Sequence, residues 1–116
     1  MRDGSYWVVQ RDRFIAKFLV GKDEPESIDN VDVEISLPNG TKRYATILTL
    51  FAIEANMTRH AASGEDSGNY FWSIDLVISR LPGVEAMTDV IGELVASGEI
   101  ETACTDSDYW SGGEGE

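Results

Sequence analysis

The sequence of 116 residues contains one cysteine, Cys104, and one histidine, His60. A single cysteine excludes an internal disulfide, and the two residues together are too few for a Cys/His metal cluster or a catalytic triad. We interpret Cys104 as a small apolar filler and His60 as a solvated residue on the polar side of a helix. A reactive thiol and a catalytic base are the less favoured alternatives.

Long apolar runs and ligand-binding loops are also missing. No run approaches the ~20 residues of a membrane span, and the first residues lack the apolar core of a signal peptide, so we expect a cytoplasmic protein without membrane contact. Neither GxGxxG nor GxxxxGK[ST] occurs, and the acids of residues 21–30 lack EF-hand spacing. We therefore predict no cofactor and no metal ligand.

Positive charge is missing from the last third of the chain. The net charge is −12: residues 1–20 carry four bases and two acids, residues 21–80 five bases and ten acids, and residues 81–116 nine acids and no base. This field repels nucleic acid and attracts a basic protein. The alternative is that acidity only serves solubility or adaptation to a salty cytoplasm, and charge alone does not separate the two interpretations.

Residues 31–48 predict a β-hairpin around which the rest of the fold is arranged. From Val31 onward apolar and polar residues alternate with the period of a half-buried strand, and Pro-Asn-Gly at 38–40 supplies a turn. A two-residue turn would mix the faces. A three-residue loop with a glycine bulge pairs Val31 with Ile47 and Asp32 with Thr46, and we predict this register because a one-residue slip exchanges the faces.

The remaining segments complete the order β-β-β-β-α-β-α-β. They comprise strands over Ser5–Gln10, Phe14–Val20, Tyr70–Ser79 and Glu99–Thr105, a helix from the N-cap Thr49 through about Ser63, and a helix from near Pro82 to Gly98. We predict an α+β fold of two layers, with a mostly antiparallel sheet and both helices on one face. It forms a single domain over residues 1–105, followed by a disordered, acidic and glycine-rich tail over residues 106–116.

Apolar spacing indicates which side of each later element faces the core. The most apolar strand is predicted at the centre of the sheet, with one face formed by Tyr70, Trp72, Ile74, Leu76 and Ile78. Leu50, Ile53, Met57 and Ala61 form a stripe at helical spacing on the first helix. The buried stripe of the second helix is predicted to be Val84, Met87, Ile91 and Leu94.

The candidate partner-binding residues are carboxylates of the second helix and of the chain after it, with two aromatic residues as anchors. Like charges four residues apart on a helix repel by a few tenths of a kcal/mol. Such spacing indicates either a partner or a solvated face. The predicted set is Glu85, Asp89, Glu93, Glu99, Glu101, Asp106, Asp108, Tyr109 and Trp110, together with Asp75. The two aromatics are alternatively a remnant, or part of a tail that folds back on the sheet.

Asp75 belongs to this set for a separate reason, because the pattern places it in the middle of a strand. On a buried face its carboxylate would need a partner and its ionisation would be perturbed, as at many functional sites. On an open face it is only the polar half of an alternation.

The stretch Leu37–Leu50, followed by Tyr70–Ile78, resembles short bacterial proteins and is similar in style to single-domain immunity proteins that neutralise toxins. The resemblance covers roughly residues 31–95 and includes no catalytic signature. It implies a small, acidic, cytoplasmic α+β protein that plugs the active site of a basic toxin, although the net positive charge of residues 1–20 departs from that pattern.

We therefore predict a non-enzymatic binding protein for a basic protein partner, monomeric or homodimeric. One alternative is a dimeric secretion-type chaperone that grips an unfolded segment in apolar grooves. Another is a small enzyme that works from Asp75.

Overall fold

A computed structural model of the chain describes residues 1–64 and 68–105. The strands are β1 (Arg2–Asp3), β2 (Tyr6–Gln10), β3 (Ile15–Leu19), β4 (Asn30–Ser36), β5 (Lys42–Thr49) and β6 (Leu76–Ser79), and the helices are α1 (Leu50–Ser63), α2 (Val84–Ser97) and α3 (Ile100–Ala103). Each strand lies beside its predecessor in one six-stranded sheet, in which only the β5–β6 pair is parallel. The predicted α+β fold with a mostly antiparallel sheet is confirmed.

The β4–β5 hairpin has the predicted register. Val31 pairs with Ile47, and Asp32 pairs with Thr46, whose hydroxyl donates a 2.8 Å hydrogen bond to the Asp32 carboxylate. The turn is the three-residue loop: the amide of Leu37 donates to the carbonyl of Thr41, and Gly40 takes a φ of 90° that a side chain would resist. One face of the hairpin is therefore buried and the other is polar.

The hydrophobic core forms on the apolar face of this hairpin. The preceding hairpin, β2–β3, and its flanking residues add the buried side chains of Phe14, Ala16, Phe18 and Val20. On the same core pack Val84, Met87 and Ile91 of α2 and Ile100 of α3, while Leu94 is half-buried against it. Two helices thus contribute buried side chains to the core, and α2 ends at Gly98 as predicted.

Helix α1 has the predicted ends but packs loosely. The hydroxyl of Thr49 accepts a 3.1 Å hydrogen bond from the amide of Ala52, and Gly64 ends the helix in the left-handed conformation. Ala52 is the only α1 residue that is fully buried, and Leu50 at the start of the predicted stripe is 60% exposed. The apolar stripe of this helix therefore takes no part in the main core.

The prediction of a central strand over Tyr70–Ser79 is wrong. Only Leu76–Ser79 is a strand, and it lies at the edge of the sheet. Asp75 takes a positive φ of 54°, which interrupts the extended chain just before β6. The chain before β6 does not join the sheet, and Tyr70, Trp72 and Ile74 are exposed there, Trp72 at 75%.

The predicted strand over Glu99–Thr105 is also wrong in its main part. After the left-handed turn at Gly98 the chain continues into α3, which buries Ile100 but leaves Thr102 exposed. The weak alternation seen in the sequence is compatible with a single helical turn, because residues 100 and 104 share one side of a helix. Extended structure returns only at the end, where Thr105 forms an isolated antiparallel bridge with Tyr44.

The predicted disordered tail, residues 106–116, lies outside the described residues. Over the parts of the chain that are described, none of the helices combines the length and apolar character needed to cross a membrane.

The Gly83→Ala variant should destabilise the fold more than a matched glycine variant. Gly83 has φ 98° and ψ 146°, a conformation restricted to glycine, and an added Cβ would lie 2.5 Å from the carbonyl oxygen of Glu26. Strain and clash together should lower the unfolding free energy by roughly 3 kcal/mol or more. The comparison variant Gly98→Ala has a left-handed φ but open space around its Cβ, and should lose only about 1 kcal/mol. Urea denaturation measures both, and equal losses would contradict the close approach at Gly83.

Candidate functional site

The exposed side of α2 presents three of the predicted carboxylates. Glu85, Asp89 and Glu93, here called the acidic ridge, are all exposed, whereas Val84, Met87 and Ile91 of the same helix are buried. This division follows from helical spacing, because residues four apart share a face. The ridge is a surface feature of a well-anchored helix.

Two more predicted carboxylates continue this negative surface past the end of α2. Glu99 and Glu101 are exposed, and Glu99 accepts a 2.9 Å hydrogen bond from the Ser97 hydroxyl. Between Val84 and Thr105 the chain carries these five acids and no base. The structure therefore brings five of the ten predicted residues onto one helical segment.

A basic loop lies against the acidic ridge, a contact that no local sequence pattern predicts. The loop joins β2 to β3 and contains Arg11 and Arg13. An Arg11 guanidinium nitrogen lies 3.7 Å from a carboxylate oxygen of Glu85, in a pair whose side chains are 39% and 85% exposed. An exposed pair of this kind contributes at most about 1 kcal/mol. The sequence feature that points to this contact is the net charge of +2 over residues 1–20, because Arg11 and Arg13 of that segment lie beside the acids of α2.

Between this loop and α2 runs an open cleft of about 950 Å³, here called the loop–helix cleft. Residues 10–13 form one wall, Asp89 and Glu93 lie on the other, and the buried Phe14 lies at the base. Gly92 adds no side chain to this space: a Cβ there would lie 3.8 Å from the Phe14 ring. No ion pair within the described residues involves Asp89 or Glu93, so both charges face the cleft and the solvent.

Asp75 occupies a different place from the ridge and has a different environment. Its carboxylate accepts a 3.1 Å hydrogen bond from the amide of Thr105, and its carbonyl accepts one of 3.0 Å from the amide of Thr46. It therefore joins the start of β6, the middle of β5 and the last described residue of the chain. A structural function accounts for these contacts, and its predicted part in partner binding stays a prediction.

Cys104 is packed inside this same junction. The residue is 1% exposed, and burial raises the pKa of its thiol from 9.0 to about 11, with the Asp75 carboxylate adding to the rise and Arg43 opposing it. Arg43 donates a 3.1 Å hydrogen bond to the carbonyl of Cys104 and one of 3.3 Å to that of Glu101. The thiol is protonated near neutral pH, as expected of an apolar filler.

The other predicted residues are less informative. His60 is half-buried on α1, so the prediction of a solvated histidine holds only in part. Asp106, Asp108, Tyr109 and Trp110 lie outside the described residues. Within the described ranges, no three His, Cys, Asp or Glu side chains are grouped so that they could hold a metal ion.

The polar face of the sheet is the main competing surface. There Glu34 lies 4.0 Å from the Lys17 amine and 3.7 Å from the Lys42 amine, and it accepts a hydrogen bond from the Tyr44 hydroxyl. A shallow depression of about 260 Å³ lies beside these groups. Because its charges already compensate one another, this surface has less electrostatic attraction for a partner than α2 has.

The fold is thus that of an α+β protein with one strongly acidic helical segment. The chain matches no known protein family, no curated protein and no solved structure.

The Asp75→Ala variant should lower the unfolding free energy by about 2 kcal/mol, because it removes a charged hydrogen-bond acceptor and a residue type that tolerates positive φ. Asp75→Asn should recover most of that loss, since asparagine keeps an acceptor oxygen and accepts the same backbone conformation. Thermal denaturation checks both variants. Equal losses for alanine and asparagine would contradict this structural function.

Stability should fall as the pH rises from 9.0 towards about 11, because of Cys104. The raised pKa means that the folded state holds the thiol proton more tightly than the unfolded chain does, so the stabilisation is complete below 9.0 and is lost as the pH rises through about 11. The measurement is urea denaturation as a function of pH. Cys104→Ala, which has no thiol to ionise, is the control, and an identical decline in that variant would assign the effect to other groups.

Proposed function

We propose that this protein is a non-enzymatic binding protein that docks a basic protein partner through the acidic ridge and the carboxylates that follow it. One observation carries the proposal: the chain from Val84 to Thr105 exposes five acids and contains no base. Only Glu85 among them has a cation within 4.0 Å in the described residues. The negative field is therefore available for a partner.

The loop–helix cleft provides a reason for docking to centre on the second half of α2. Arg11 partly neutralises Glu85 at one end, whereas Asp89 and Glu93 face the cleft without a cation. Arg11 and Arg13 of the opposite wall lie more than 4.0 Å from Asp89 and Glu93, so a lysine or arginine side chain that approaches the α2 wall from the solvent meets two carboxylates that have no ion pair among the described residues. Glu99 and Glu101 extend the attraction towards the C-terminal end of the surface.

The spacing of the ridge supports a partner over a merely solvated face. Three like charges four residues apart repel one another within the free protein, and a cationic partner converts that repulsion into attraction. Solubility alone does not require the acids to lie along one helical segment. If the acids serve only solubility or salt adaptation, neutralising any pair of exposed acids should change the affinity for a basic partner equally.

Neutralisation of a bacterial toxin and a cytoplasmic location are the finer parts of this proposal, and they rest on the resemblance described above. Asp106, Asp108, Tyr109 and Trp110 follow directly on the acidic segment in the sequence. They belong to the proposed binding set as two further charges and two aromatic anchors.

The double variant Asp89→Asn/Glu93→Gln should lower the affinity for the natural partner about tenfold or more, because two carboxylates lose their charge-assisted contacts. The partner is captured from a native lysate on the immobilised protein, identified, and its affinity measured at about 0.1 M and about 1 M salt, which screen charges over about 10 Å and 3 Å respectively. Wild-type binding should weaken steeply between the two salt concentrations.

The matched control is Asp3→Asn/Glu54→Gln, which removes the same two charges from exposed positions on β1 and α1. Its affinity should stay within about twofold of wild type, since its charges lie outside the proposed surface. Equal weakening by both double variants would show that the affinity depends on the overall charge and not on the position of the acids. Unchanged binding in the ridge variant would remove α2 as the docking site.

A further inference from the structure

Among the described residues, the exposed large apolar side chains are concentrated in the unit formed by β5, α1, β6 and the residues that flank β6. Seven of them lie there, each between 37% and 75% exposed: Leu50, Phe51, Tyr70, Trp72, Ile74, Ile78 and Leu81. Three of the seven are aromatic, with areas of about 150–250 Å² each, and four are aliphatic, with areas of about 60–120 Å² each, so at these exposures they present on the order of 600 Å² of apolar surface. This value lies at the upper end of the roughly 300–600 Å² that a monomer commonly leaves in its largest apolar patch.

The two ends of this unit are adjacent in space. Thr49, the last residue of β5, pairs with Ser79, the last residue of β6. The first turn of α1, which begins at Leu50, therefore lies beside the end of β6. Further along, Gly68 packs so closely on α1 that an added Cβ would lie 2.5 Å from that of Ala61. The chain from residue 68 to residue 81 therefore runs back along α1 and into β6.

Strand β6 also has an open edge. The amide of Thr46 donates to the carbonyl of Asp75, so the alternation of a parallel ladder turns the peptide groups of Val77 towards β5 and those of Leu76 and Ile78 away from it. The sheet order ends at β6 among the described residues. Its outward amides and carbonyls are thus a template for a further strand.

This surface is nearly neutral, in contrast to the rest of the chain. Residues 68–81 carry one acid and one base, Asp75 and Arg80, against a net charge of −12 for the whole sequence. The Asp75 carboxylate already accepts a hydrogen bond from Thr105. A basic partner gains little here, whereas a second copy of this chain meets no repulsion at the contact itself.

We propose that this surface pairs with the same surface of a second copy, with β6 aligned antiparallel to the partner's β6 across a two-fold axis. The exposed apolar area approaches the ~800 Å² per partner of a standard protein interface. An isologous contact joins each outward peptide group of Leu76 and Ile78 to the other copy's β6 and lets the apolar residues around it cover one another. The homodimer leaves both acidic ridges outside the contact residues.

The test is light scattering of the full chain between about 1 µM and 100 µM, where a dimer of ordinary affinity forms. The wild type should be dimeric at the upper end. Ile78→Lys and, separately, Trp72→Ser should each raise the dimer dissociation constant at least tenfold. Trp72 lies outside the strands and is 75% exposed, so its loss leaves the fold intact.

The matched control is Leu19→Lys. Leu19 is 45% exposed on β3, close to the 49% of Ile78, but lies away from the sheet edge. It should leave the dissociation constant within about twofold of wild type, as expected for an exposed residue outside an interface.

Hydrogen exchange tests the strand pairing directly. The amides of Leu76 and Ile78 should exchange at least tenfold more slowly at the high concentration than at the low one. Three outcomes overturn the proposal: a monomer at the highest concentration, a dimer that neither Ile78→Lys nor Trp72→Ser weakens, or a dimer in which these two amides exchange at the monomer rate. A monomer that instead binds a permanently unfolded, carboxymethylated protein identifies the surface as a chaperone groove.

Discussion

The pairing of β4 with β5 determines which face of the sheet is apolar, and β6, α1 and the end of the described chain take their positions from β5. Val31 opposite Ile47 places a buried face on one side, while Asp32 and Thr46 hydrogen bond on the other. The same β5 pairs with β6 and leads directly into α1 through the cap at Thr49. Its Tyr44 also forms a β-bridge with Thr105, in which the Tyr44 amide donates to the Thr105 carbonyl. A one-residue slip in this pairing would exchange both faces at once.

The elements that the sequence predicts well are those determined by contacts between residues close in the sequence. The β4–β5 register follows from alternation and turn length, and the caps at Thr49, Gly64 and Gly98 follow from the backbone chemistry of helix ends. Tyr70–Ser79 fails for the opposite reason. Its apolar face is longer than that of β4, yet an apolar face does not reveal what covers it, and the left-handed Asp75 interrupts the strand pattern.

The candidate site shows the same division. Helical spacing alone places Glu85, Asp89 and Glu93 on one exposed face, and the structure agrees. What spacing does not contain is the approach of Arg11, some seventy residues earlier in the chain, because charge summed by segment ignores which segments meet. The sequence pattern draws attention to Asp75 because it places a carboxylate in the middle of a strand. Its explanation is a backbone amide at Thr105, a contact that only the tertiary fold creates.

The two surfaces respond to ions in opposite ways, which follows from where the charge lies. At the acidic ridge the attraction between unlike charges is screened by salt, so docking of a basic partner weakens as ionic strength rises. At the β6 edge the contact itself is apolar and nearly neutral, and the long-range repulsion between two chains of charge −12 is the part that salt removes. The proposed self-association should therefore strengthen with salt. A basic partner that neutralised the ridges would also lower that repulsion, so the proposed partner binding and the proposed dimer formation should favour each other through the total charge, without any contact between the two surfaces.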